Sequence, residues 1–119
     1  MTTLALVADL MFGSKIAATA RAHGIDYRGA RSLEGLRTST AVPRLVLVDL
    51  EAELPDGDPL DAVTEALERE PRPRVIAFAG HLQVERLEQA RRAGADLVLS
   101  RGGLAGRLEA IFAELATST

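Results

Sequence analysis

Three apolar runs of branched and small aliphatic residues punctuate the chain, Leu4 to Ala8, Leu45 to Val48 and Val75 to Ala79, and a shorter fourth spans Leu97 to Leu99. The long runs do not alternate with polar residues, so they read as strands buried on both faces, the signature of a parallel sheet covered by helices. Ile25-Asp26-Tyr27-Arg28-Gly29 does alternate, which predicts a fifth strand with one wet face at a sheet edge. Two of the buried runs end on a carboxylate, Asp9 and Asp49.

Helical spacing fills the intervals. Lys15 to His23 carries Ile16, Ala17 and Ala20 on one face, with Ser14 placed to cap it and Gly24 just past its end. Ser32 to Thr38 predicts a short helix interrupted by Gly35. Asp58-Pro59 opens another, aspartate as N-cap and proline in the first turn; Leu60, Val63 and Leu67 follow in phase, and Glu70-Pro71-Arg72-Pro73 stops it. Leu82 to Ala93 and Leu104 to Leu115 complete the set, the last with Leu104, Leu108, Ile111, Phe112 and Leu115 on one stripe, before a frayed tail over 116–119.

The resulting order is βαβαβαβαβα, one domain over residues 1–119. Such alternation predicts an α/β fold of the flavodoxin-like (βα)5 kind: a three-layer sandwich around a five-stranded parallel sheet, order 2-1-3-4-5, with right-handed crossovers. Strands 1 and 3 are then neighbours at the topological switch point, and Asp9 and Asp49 converge at the carboxyl edge where such sheets place their sites.

Composition narrows the chemistry at that edge. Net charge is −3 and the pI is near 5.4, so no basic footprint points to nucleic acid or an anionic membrane. Thirteen of the 14 basic residues are arginine, Lys15 being the only lysine. The absence of cysteine excludes disulfides, thiolate metal sites and a cysteine nucleophile. His23 and His81 are too far apart in the sequence to suggest an imidazole cluster. No signal-peptide pattern or membrane-length apolar run is present, so a soluble cytoplasmic protein is expected.

Two converging carboxylates can bind a divalent cation, or one can attack a phosphoryl group while the other holds Mg²⁺ against it. Asp9 could equally cap the first helix. The acidic stretch Glu51 to Asp58 reads as a solvated loop, with Glu51 near enough to serve as a substitute ligand. Ser100 with Gly102-Gly103 could cradle an anion or simply turn the chain into the last helix. His81 reads as a loop or capping histidine, and His23 as a cation near a helix C-terminus.

Four segments together resemble the receiver domain of two-component response regulators: Leu6-Val7-Ala8-Asp9, Leu45-Val46-Leu47-Val48-Asp49-Leu50, Val75-Ile76-Ala77-Phe78-Ala79, and Ala93-Gly94-Ala95-Asp96. The resemblance covers nearly the whole chain. It implies that Asp49 stands at the phosphoacceptor position and Asp9 at one of the paired Mg²⁺-binding acids, so that Asp9 and Asp49 are the metal candidates. It also exposes departures. Ala8 stands where receivers carry a second acid, Ala79 where they carry a switch hydroxyl, and Arg101-Gly102 where they carry Lys-Pro. The loop after Asp49 is about two residues longer than usual in that family. One carboxylate fewer weakens Mg²⁺ binding, Ala79 cannot donate to a phosphoryl oxygen, and Arg101 replaces a compact ammonium with a planar fork. Arg101 is then expected as counter-ion to Asp49 or Asp9.

These features predict a degenerate receiver: a stand-alone, non-enzymatic signalling module acting on a protein partner rather than through ordinary aspartyl phosphorylation. A working single-domain response regulator, phosphorylated on Asp49 with Mg²⁺ by a sensor kinase, is the alternative. A flavodoxin-like small-molecule binder is a third reading, weakened by the lack of an Asp-x-His-x-x-Gly motif and by the scarcity of aromatic residues. The resemblance implies contact, including homodimerisation, through helix 4, strand 5 and helix 5. Candidate surface residues are Met11, Phe12, Leu87, Leu104 and Leu108, with Met11 and Phe12 either core plugs or an exposed patch.

Overall fold

Branched and aliphatic side chains make the central strand, β3 (Leu45–Asp49), buried at every position. In the computed structural model, which describes residues 1–118, β3 is the middle of a five-stranded parallel sheet. The other strands are β1 (Thr2–Leu6), β2 (Asp26–Ala30), β4 (Arg74–Ala79) and β5 (Leu97–Ser100), in the order β2-β1-β3-β4-β5. The expected flavodoxin-like topology is the one observed. Five helices connect the strands: α1 (Leu10–Ala22), α2 (Leu33–Arg37), α3 (Pro59–Leu67), α4 (Val84–Ala93) and α5 (Arg101–Thr117).

Side chains alternate between two cores, as the pleat requires. Leu4, Leu6, Val46, Val48, Val75 and Ala77 pack under α2, α3 and α4. Ala5, Leu45, Leu47, Ile76 and Phe78 pack under α1 and α5. No helix among the described residues is long and apolar enough to cross a membrane.

Helix starts differ from the sequence reading in three places. α1 begins at Leu10, five residues before Lys15, because the Asp9 carboxylate accepts the N–H groups of Met11 and Phe12 and caps the first turn. Ser14 is therefore inside the helix. α5 begins at Arg101, capped by Ser100 Oγ accepting from Gly103 N–H at 3.0 Å, so Gly102-Gly103 form its first turn. α4 begins at Val84, leaving Leu82 in the preceding turn. α5 also runs through Thr117, so most of the expected frayed tail is helical, and Thr119 lies outside the described residues.

Leu87, Leu104 and Leu108 do not form a surface. All three are buried in the cores, because the apolar stripe by which a helix is recognised is the face it turns to the sheet.

Candidate functional site

β1 and β3 run side by side, with Leu6 opposite Val48, so the turns that leave them meet at one edge. Asp49 ends β3 there and is fully buried, at 0% exposure. Each carboxylate oxygen has a backbone partner. Oδ2 accepts from Ala8 N–H at 3.2 Å and Oδ1 from Glu51 N–H at 3.0 Å. Asp49 thus ties the turn after β1 to the turn after β3, a buried charge held by oriented amides.

Asp9 stands at the start of α1. The Phe12 N–H foremost, with the Met11 N–H and the nearby Arg101, holds its carboxyl below the usual carboxylate range against a partial desolvation. Its second oxygen meets Arg101 Nη1 at 3.2 Å. Glu51 turns back across the edge and accepts Gly80 N–H at 2.9 Å, linking the turn after β3 to the turn after β4.

Arg101, in the first turn of α5, reaches into the middle of this group. Its Nη2 lies 3.9 Å from both Asp49 and Glu51. The guanidinium also sits 5.4 Å from the centroid of the Phe12 ring, which in turn packs edge-on against Phe78 at 5.5 Å and 80°. One cation is therefore shared by three carboxylates and an aromatic face.

This donor set does not fit Mg²⁺. The ion demands near-octahedral oxygen ligation, whereas here the Arg101 guanidinium, itself a cation, stands among the Asp9, Asp49 and Glu51 carboxylates. Among the described residues no three His, Cys, Asp or Glu side chains are disposed to hold a metal ion. Ala79 is buried and pairs in register with Ser100, whose hydroxyl is used in capping α5. Beside Ala8 the surface is a cleft of about 280 Å³ of mixed character, with Leu6, Leu10 and Leu54 in its walls and Arg31 and Glu53 on its lining.

The neighbours Met11 and Phe12 part ways. Phe12 is half-buried and packs against the core beside Phe78, and Met11 is 84% exposed. His23 caps the C-terminus of α1 and meets Glu109 of α5 at 2.7 Å, while His81 is exposed in the turn before α4. Neither belongs to the carboxylate group.

Two residues that sequence reasoning passed over organise the acidic loop. Asp56 accepts the N–H groups of Leu33 and Glu34, both at 2.9 Å, and so caps α2 from a distance. Arg86 of α4 grips Asp58 at 2.7 Å and donates to the Leu50 carbonyl at 3.2 Å. Only Asp58, read as the cap of α3, had a visible signal in Asp58-Pro59.

The architecture defines a class: the fold is that of response-regulator receiver domains. In particular, the receiver domain of NtrX from Brucella abortus superposes with a TM-score of 0.79 at 25% identity, over 98% of this chain and 99% of that one. The receiver domain of the Francisella response regulator 1452 gives a TM-score of 0.75 at 16% identity, over 97% and 95%. Against a longer NtrX structure the TM-score is 0.80 at 24% identity, and the chain covers only 27% of that protein. No protein-family model and no curated protein matches the chain.

Proposed function

We propose that the chain is a degenerate receiver, a non-enzymatic signalling module that works through protein–protein contact and not through aspartyl phosphorylation. The observation that carries this reading is the state of Asp49: fully buried, with both oxygens bound to the N–H groups of Ala8 and Glu51. A carboxylate nucleophile needs a free lone pair facing an open approach, and phosphoryl transfer needs cations around three equatorial oxygens. Asp49, at 0% exposure, has no open approach for a phosphoryl donor, and the cation at the edge is already shared by Asp9, Asp49 and Glu51. Ala79 supplies no hydroxyl to sense a phosphoryl group. An edge stabilised by its own arginine behaves as a fixed surface, which suits constitutive recognition by a protein partner in a two-component pathway.

The test is direct. Incubation with Mg²⁺ and an acyl phosphate is expected to leave the intact mass unchanged, and Mg²⁺ with beryllium fluoride to leave the backbone amide resonances of Ala8, Asp49 and Arg101 in place. A phosphoryl adduct on Asp49 returns the chain to the working receivers.

A further inference from the structure

Six large apolar side chains are exposed among the described residues, and four of them lie on the carboxyl edge of the sheet: Leu10 at 69%, Met11 at 84%, Leu82 at 81% and Val84 at 69%. Clustering on one edge is what distinguishes an interaction surface from scattered exposure. They form two pairs. Leu10 and Met11 open α1, in the layer shared with α5, and Leu82, in the turn before α4, and Val84, its first residue, lie in the opposite layer. β3, carrying Asp49, stands between them, since β1 and β4 are its two neighbours.

We propose that this edge is the interface of a symmetric dimer of the chain, closed face to face about a two-fold axis that crosses the end of β3. Such an axis exchanges the two pairs, so the α1 start of one copy meets the α4 start of the other, as an isologous interface requires. Charge supports a second copy as the occupant. Lys15 lies one helical turn beyond Met11 on α1, and Glu85 follows Val84 in the first turn of α4. Both are exposed, and neither takes part in an ion pair among the described residues. The same axis brings Lys15 of each copy to Glu85 of the other.

The inference goes beyond the proposed function and does not rest on the chemistry of Asp49. A dimer found together with a phosphorylated Asp49 would overturn that earlier reading and leave this one standing.

Sedimentation equilibrium of the whole chain across a concentration series tests it. A reversible monomer–dimer equilibrium is expected, weakened about tenfold or more by Met11→Glu or Leu82→Glu. Lys15→Glu and Glu85→Lys should each weaken it by roughly three- to tenfold, and the double exchange should restore it. All these positions are exposed, and far-UV circular dichroism checks that each variant is folded. A chain monomeric at every concentration, a dimer indifferent to all four substitutions, or a double exchange no stronger than its parents would each overturn the proposal.

Discussion

Arg86 and Arg101 occupy equivalent places in two acidic neighbourhoods and do different things there. Arg86 is committed: its Nη2 lies 2.7 Å from Asp58 and 3.2 Å from the Leu50 carbonyl, and its Nη1 3.3 Å from the second Asp58 oxygen. One guanidinium thus bolts α4 to the loop after β3 and to the start of α3. Arg101 is shared: 3.2 Å from Asp9 and 3.9 Å from both Asp49 and Glu51, with Phe12 beneath it. Short bidentate contacts define a geometry, whereas several long ones supply a charge without choosing a partner. The acidic loop is a built scaffold, and the strand-end cluster is a balance of charges around one cation.

The largest effect expected from this contrast falls on neither arginine. Asp49 is held by amides, so Asp49→Ala leaves the Ala8 and Glu51 N–H groups without their acceptors and opens a polar hole in the edge. A loss of about 3 kcal/mol is expected, read as a lower urea midpoint at an unchanged slope. Asp49→Asn keeps one acceptor but points an amide N–H at a backbone N–H, and should lose about half as much. An Asn variant as stable as the parent would show that the carboxylate is not a structural tie.

Arg86→Ala comes next, at about 2 kcal/mol, because it removes the grip on Asp58 and leaves the Leu50 carbonyl without its guanidinium donors. Arg86→Lys should recover little, since a point charge cannot serve a carboxylate and a carbonyl in two directions. Arg101→Met is expected to cost about 1 kcal/mol or less, as loose and partly exposed ion pairs do. It should also do something that Arg86→Ala does not. With the shared cation gone, Asp9, Asp49 and Glu51 repel one another, so millimolar Mg²⁺ should raise the melting temperature of Arg101→Met more than that of the parent. Equal responses in the two arginine variants would erase the distinction drawn between them.

The legibility of these two regions in the sequence differs for the same physical reason. Strand order and core followed from period and burial, because Leu45 to Val48 and the Leu104, Leu108, Ile111 stripe are local patterns with one stable solution. Asp9 beside Asp49 followed from topology. What escaped was who holds whom. For α1 the sequence offers two caps, Ser14 and Asp9, and Asp9 takes the role, since an aspartate just past a strand can reach two amides before a serine five residues on is needed. The partners of Asp56, Arg86 and Glu51 lie 22 to 36 residues away, and nothing in the local sequence announces them. Leu87, Leu104 and Leu108 illustrate the converse error, in which a stripe that defines a helix is mistaken for the surface it offers.

Acid titration yields the smallest and most discriminating difference. Asp58 and Asp9 both have carboxyls held below the usual range, but the leading cause for Asp58 is its hydrogen bond from Arg86, and for Asp9 the N–H of Phe12. A group whose folded pKa is depressed contributes stability that is present above its unfolded pKa and lost as pH falls through the folded value. Asp56, held low by the Leu33 and Glu34 amides, contributes in the same sense. Stability should therefore be level near neutrality and decline as pH drops below about 4. In Arg86→Ala the share due to Asp58 should shrink, because its main cause has gone, and the curve should flatten. In Arg101→Met the share due to Asp9 should persist, because the Phe12 amide is still there. Urea unfolding at neutral and acidic pH on the three proteins checks this, and a flattened curve for Arg101→Met would mean that the shared cation, not the helix start, governs Asp9.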